Sequence, residues 1–113
     1  MRTNFRWEDK YLTMTKGDTV SFAFEIYDQN DEPIDMDRIA FVCKKNLIDN
    51  SPVFEKTIDN GITKVDVGKY IIRIAPTDTV NIASGQYYYS FRATVNSDVF
   101  TIYKGILDIQ NVA

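Results

Sequence analysis

Apolar and polar residues alternate over the segment TVSFAFEIY, Thr19 to Tyr27. Successive side chains of a strand point to opposite faces of a sheet, so this alternation predicts a strand with one buried and one solvated face. The buried face would hold Val20, Phe22, Phe24 and Ile26. No helical periodicity of comparable length occurs in the chain, so the segment favours a fold built from sheets.

Similar short runs recur between turn signals along the whole chain. Arg38–Lys44 is apolar on both faces, which is typical of a central strand, and Gln86–Val95 alternates again. The sequence therefore predicts an all-β fold, an antiparallel two-sheet sandwich of seven or eight strands. The other predicted strands are Lys10–Met14, at an edge, Val53–Ile58, Ile62–Asp66, Lys69–Ala75 and Val99–Ile109.

Glycine residues indicate where turns between these strands, and a bulge within one of them, are expected. Asn60 and Gly61 form a strong turn dipeptide because both residues tolerate a positive φ. Gly68 would allow a tight turn between two strands. Gly105 interrupts the alternation of the last strand, which predicts a β-bulge there.

One short helical turn is expected before the strand that begins GQYYY. Pro76 suits the first turn of a helix, and Thr77 or Asp78 could cap it. A helical turn followed by a glycine, a tyrosine and a strand is typical of the corner that joins the sheets of immunoglobulin-like sandwiches. Tyr87 is the candidate corner tyrosine, so the predicted fold is an immunoglobulin-like antiparallel β-sandwich. The usual cysteine pair and buried tryptophan are missing, and Phe41 is expected to take the tryptophan's place.

Composition limits the possible partners. The chain has 113 residues, which predicts a single domain over 1–113, and a net charge of −3. This acidic balance argues against nucleic acid, which needs a clustered basic surface. No apolar run approaches the roughly 20 residues that span a bilayer, and the N-terminus lacks the pattern of a signal peptide. We expect a soluble protein of cytosolic origin with no membrane contact.

Catalytic and metal-binding patterns are weak. Cys43 is the single cysteine and no histidine is present, so the commonest general base is unavailable and no enzyme, cofactor or metal site is predicted. Cys43 is expected to be a buried small hydrophobe. The acidic loop DQNDEPIDMD, residues 28–37, fails the spacing of a helical-hand calcium loop. A solvated turn is the favoured interpretation, and a loose calcium site stays open.

Strand geometry divides the three consecutive tyrosines. Tyr87 and Tyr89 would share the core face, while Tyr88 would lie on the outer, mostly polar face. Residues 1–10 form a possible N-terminal arm, and the aromatic residues Phe5, Trp7 and Tyr11 lie in or next to it. Aromatic residues are enriched at interfaces. Three arrangements remain open: packing of the arm on its own sandwich, crossing to a neighbouring subunit, and a disordered leader.

Three stretches together resemble a known protein family. The KGDT turn before TVSFAFEI, the PTDT turn before GQYYY and the final VFTIYKGILDI are similar to small phage and prophage proteins of Firmicutes. These proteins resemble the N-terminal immunoglobulin-like domain of phage baseplate upper proteins. The likeness extends from about Tyr11 to Ile109 and rests on structural signatures.

The resemblance implies a non-enzymatic structural role in a virion tail or baseplate, after synthesis in the bacterial host cytoplasm. It implies docking to other tail or baseplate proteins. Unpaired strand edges allow strand addition between copies, so we expect a homo-oligomer in the virion that associates weakly in dilute solution. The receptor-binding parts that follow this domain in such proteins are missing, so we expect a standalone adaptor or a trimmed domain. The alternative is a carbohydrate- or cell-surface-binding module, for which Tyr88, Tyr103 or Trp7 would supply the exposed aromatic ring.

Overall fold

A computed structural model describes the backbone of residues 3–5, and residues 11–112 apart from the side chains of 102 and 103. The described part of the chain forms nine strands and one short helix. In chain order they are β1 (Thr3–Phe5), β2 (Tyr11–Thr15), β3 (Val20–Asp28), β4 (Arg38–Lys44), β5 (Phe54–Ile58), β6 (Gly61–Asp66), β7 (Lys69–Ile74), α1 (Pro76–Thr79), β8 (Gly85–Val95) and β9 (Asp98–Gln110). No helix in this part is long and apolar enough to cross a membrane.

The strands follow one hydrogen-bonded order, β1-β3-β7-β6-β5-β4-β8-β9-β2. The link between β5 and β6 consists of only two residue pairs, Thr57 with Gly61 and Ile58 with Ile62. Ring contacts join strands that are not neighbours in this order: the rings of Phe24 on β3 and Phe91 on β8 lie 4.4 Å apart. The molecule is therefore a sandwich, with β1-β3-β7-β6 in one layer and β5-β4-β8-β9-β2 in the other.

Alternation in the sequence identifies the core correctly. Phe24 and Ile26 of β3 are buried, and Val20 and Phe22 pack against the same cluster. Phe41 is fully buried and stacks on Tyr89, with 5.4 Å between ring centroids. The aromatic side chain thus fills the position expected for tryptophan. The other buried strand residues include Tyr70, Ile72 and Ile74 of β7, and Tyr87, Tyr89, Phe91, Ala93 and Val95 of β8.

Two details of strand pairing differ from expectation. The chain has nine strands in its described part because Thr3–Phe5, within the predicted arm, pairs antiparallel with β3 of the same chain. The first predicted edge strand, Lys10–Met14, is found at Tyr11–Thr15, and it pairs parallel with β9. A parallel partner lies far away along the chain and needs no hairpin turn, so local sequence carries no signal for it.

Turn positions also need correction. The bulge predicted at Gly105 lies at Ile102, because Phe91 pairs with Tyr103 and Arg92 pairs with Thr101, while Gly105 pairs regularly with Tyr89. In the loop between β5 and β6, the positive φ angles belong to Asp59 and Gly61 rather than to Asn60 and Gly61. Gly68 has the positive φ that a tight turn between β6 and β7 requires.

The short helix begins with Pro76. Its N-cap residue is Ala75 rather than Thr77 or Asp78, and Asp78 lies at the third helical position. The Asp78 carboxylate accepts a hydrogen bond from the backbone N–H of Ala75 at 2.7 Å and forms an ion pair with Lys56 at 2.6 Å. Thr77 makes no such cap, so that alternative is wrong. Thr79 is fully buried, and its hydroxyl accepts the backbone N–H of Gly17 at 2.9 Å. The KGDT and PTDT motifs therefore touch.

Candidate docking face

Two of the aromatic residues singled out in the sequence meet on one face. Tyr88 of β8 pairs with Ile106 of β9, and Ile106 pairs with Tyr11 of β2. Directly paired residues project to the same side of a sheet, and neighbouring strands lie about 4.8 Å apart. Tyr88, Ile106 and Tyr11 thus form a tyrosine row about 10 Å wide on the outer face of the layer.

A side-chain hydrogen bond restrains Tyr11, which is the exposed end of the tyrosine row. The Tyr11 side chain is 51% exposed, and its hydroxyl donates a hydrogen bond to Oδ2 of Asp108 at 3.1 Å. Tyr88 and Ile106 are half-buried. The hydroxyl bond restrains the Tyr11 ring while leaving its surface open, which lowers the entropy lost when a partner covers the ring.

An apolar tip stands beside the row. Leu47 and Ile48 are 71% and 91% exposed. They occupy the centre of a turn in which the N–H of Asp49 donates to the carbonyl of Asn46 at 3.1 Å, and the N–H of Asn46 donates to the Asp49 carboxylate at 3.0 Å. The turn therefore presents two adjacent large apolar side chains to water.

Sequence analysis did not identify this tip. The signal was present as the apolar pair Leu47-Ile48 between polar turn residues, in the loop after β4. A shallow notch of about 210 Å³ lies between the tip and the row, and Leu47 and Tyr88 both line it. Lys44 and Lys104 line the same notch, so the apolar surface has basic flanks.

The remaining aromatic candidates separate into three groups. Tyr87 is buried, as its corner assignment requires, and its hydroxyl donates to the carbonyl of Ala83 at 2.6 Å. Burial raises the pKa of Tyr87. The backbone of Phe5 pairs with Ile26 of β3. Trp7 and the side chain of Tyr103 lie outside the described residues.

A second depression lies toward the opposite end of the same outer face. It is an open groove of about 500 Å³ whose lining includes Arg38, Ala40, Arg92, Thr94 and Val99. Arg38 pairs with Thr94 and Ala40 pairs with Arg92, which makes the two arginines diagonal neighbours. Both arginines are exposed.

The acidic loop uses its carboxylates to bond its own surroundings. Asp28 accepts the backbone N–H groups of Asn30 and Glu32, and Asp37 accepts that of Asn96. Asp35 accepts the N–H of Gly68 and binds Lys64 at 2.6 Å, and the Lys64 ammonium is the main cause of its lowered pKa. Within the described residues, no group of three acidic, cysteine or histidine side chains is placed to hold a metal ion.

Comparison with known proteins supports the fold. No protein-family model and no curated protein sequence matches the chain. Among solved structures, the ZirS C-terminal domain matches with a TM-score of 0.52 at 14% identity, over 98% of this chain and 66% of that one. The titin immunoglobulin tandem A164-A165 matches with a TM-score of 0.50 at 11% identity, over 99% of this chain and 50% of that one.

The fold is immunoglobulin-like. The layer β1-β3-β7-β6 corresponds to strands A, B, E and D of an immunoglobulin domain, and β4-β8-β9 corresponds to C, F and G. Titin domain M7 is a further match, with a TM-score of 0.47 at 12% identity, over 99% of this chain and 95% of that one. In this immunoglobulin-like domain, aromatic packing between Phe41, Tyr89 and Phe91 occupies the centre of the sandwich.

Proposed function

We propose that this domain is a non-enzymatic structural component of a phage tail or baseplate that docks other proteins of the assembly. The observation that carries the proposal is the joint surface of the tyrosine row and the Leu47-Ile48 tip. Tyrosine is enriched among the few residues that carry most of the binding energy of a protein interface. Covering a leucine or isoleucine side chain fully contributes about 1.5–3 kcal/mol.

The flanking charges define the partner's chemistry. Lys44 and Lys104 line the notch beside Leu47 and Tyr88. A partner that offers an apolar pocket with an acidic rim would complement this surface, and rim charges chiefly raise the association rate. The sequence resemblance favours other tail or baseplate proteins as these partners.

Copies of the domain would assemble through a free strand edge. β2 ends the strand order and is paired on one side only, with β9, in the described part of the chain. An unpaired edge offers N–H and C=O groups to another strand. We propose that the homo-oligomer in the virion uses this edge, next to Tyr11.

Labelling of purified phage particles with an antibody to the chain tests the virion assignment. Detection at the tail or baseplate would support it, and absence from every particle of the producing host would refute it. Incorporation of Ile48→Glu then tests the docking face against Val80→Glu, an exposed valine after α1. We expect the first variant to be lost from particles and the second to be retained. Equal incorporation would exclude the tip from the interface.

A carbohydrate-binding module is the second candidate. The observation that favours it is the exposed Tyr11 ring beside the Asp108 carboxylate, since sugar sites combine an aromatic face with polar groups. A glycan-array signal that disappears in both Tyr11→Ala and Tyr88→Ala would support this function. No signal from the wild-type domain would eliminate it.

A further inference from the structure

We propose that the groove containing Arg38 and Arg92 binds a carboxylate group of an acidic peptide segment. The site goes beyond the docking face described above. Arg92 lies four residues along β8 from Tyr88, which corresponds to about 13 Å in a strand. The groove of about 500 Å³ falls within the usual size of ligand sites, about 300–1,000 Å³.

The arrangement of the two arginines favours an anion. Diagonal neighbours on antiparallel strands lie about 7–8 Å apart, so one small group can reach both guanidinium groups. Neither arginine forms an ion pair with any residue that the structure describes. Two neighbouring like charges repel each other. A bound anion between them would reduce the repulsion that the two acidic residues of the lining leave.

The chemistry of the lining points to a carboxylate. A guanidinium presents parallel N–H donors that match the two oxygens of a carboxylate. Thr57 and Thr94 add hydroxyl groups to the same lining. Apolar surface from Ala40 and Val99 would contact the aliphatic part of a glutamate or the neighbouring peptide.

Two acidic residues in the lining limit the negative charge of the ligand that the groove can bind. Asp37 and Asp59 also line it, and the Asp37 carboxylate accepts the N–H of Asn96 at 3.0 Å. The formal charges of the two aspartates balance those of the two arginines. A dianion such as phosphate would therefore meet more repulsion than a single carboxylate, and a partner's glutamate or aspartate side chain is the better fit.

An NMR titration tests the site with the intact domain. The probes are the capped peptide acetyl-Ala-Ala-Glu-Ala-Ala-amide, its glutamine counterpart and inorganic phosphate. We expect saturable shifts of the Nε–H signals of Arg38 and Arg92 with the glutamate peptide only. Arg73 is the matched internal control, because it is also exposed but lies on β7 of the other layer. Its signal should not move.

Substitutions at these exposed positions complete the test. Arg38→Gln combined with Arg92→Gln should weaken peptide binding by about tenfold or more, whereas Arg73→Gln should leave it unchanged. Arg92→Lys keeps the charge and loses the planar fork, and should weaken binding by a smaller factor. Equal binding of the glutamine peptide, an equal shift at Arg73, tighter binding of phosphate, or unchanged binding by the double variant would each overturn the proposal.

Discussion

The backbone N–H of Gly17 donates a hydrogen bond to the buried hydroxyl of Thr79 at 2.9 Å. These residues are 62 positions apart, and their bond joins the turn before β3 to the helix before β8. Thr79 has no exposed surface, so water cannot replace its hydroxyl without local opening. The bond therefore restrains the position of the turn at Gly17 relative to α1.

Thr79→Val should destabilise the domain by about 1–3 kcal/mol, because it leaves the Gly17 N–H without its acceptor while keeping the shape of the side chain. Urea unfolding measures the change. Thr79→Ser is the matched control, since it keeps the hydroxyl and loses one methyl group. A valine variant as stable as the wild-type domain would show that the hydrogen bond contributes nothing to stability.

Gly68→Ala should be more harmful than Gly17→Ala. Both glycines have positive φ angles, +68° and +83°, so both substitutions carry the left-handed strain of about 1–2 kcal/mol. A β-carbon at Gly68 would lie 2.7 Å from the carbonyl oxygen of Ile26 and 2.9 Å from the backbone nitrogen of Ile34, whereas one at Gly17 has no atom within 4 Å.

Because both neighbours at Gly68 are backbone atoms, the structure must shift to admit the methyl group. We expect Gly68→Ala to lose at least about 1 kcal/mol more stability than Gly17→Ala, in the range of overpacked sites. Thermal unfolding of the two variants gives the comparison. Equal losses would show that the backbone at Ile26 and Ile34 moves away from Gly68 without cost.

The strands and the core could be predicted because they depend on a local signal. The period of two in β3 and β8 identifies Phe24 and Tyr87 as buried without knowledge of the topology. The bulge was misplaced because a glycine is a weak marker, and the extra residue is Ile102. Nothing in the local sequence distinguishes that isoleucine from its neighbours.

The docking face could be predicted only in its parts. Tyr11 and Tyr88 were both candidates, but their meeting depends on the parallel pairing of β2 with β9. That pairing brings together residues almost 100 positions apart, such as Tyr11 and Asp108, whose side chains are hydrogen-bonded. The diagonal placement of Arg38 and Arg92 likewise depends on the register of β4 against β8, which alternation alone does not determine.

Tyr87→Phe should lower stability by about 0.5–1.5 kcal/mol, because the hydroxyl bond to the Ala83 carbonyl is lost while the ring stays in the core. Tyr88→Phe is the matched control on the adjacent residue, whose side chain lies on the outer face. We expect it to change stability by less than about 0.5 kcal/mol. Chemical denaturation of both variants under one buffer condition would reveal the difference, and its absence would argue against a stabilising corner bond.

Alkaline pH should destabilise the domain through Cys43. The thiol is fully buried, and burial raises its pKa from an ordinary value of 9.0 to about 12. The folded state thus keeps a proton that the unfolded chain releases. This contribution to stability is complete below pH 9 and declines as the pH rises from 9 toward 12, by up to about 1.4 kcal/mol per pH unit.

Cys43→Ala removes this titration. The variant should be less stable at pH 8 because the packing of the sulfur is lost, yet its stability should fall less steeply between pH 9 and 10. Tyr70 and Tyr87 also have pKa values raised mainly by burial, and both are present in the two proteins. Cys43 adds a smaller upward contribution to the pKa of Tyr87, and its loss acts in the same direction as the loss of the thiol. Urea unfolding at pH 8, 9 and 10 gives the two slopes. Identical slopes would mean that the Cys43 thiol titrates alike in the folded and unfolded chains.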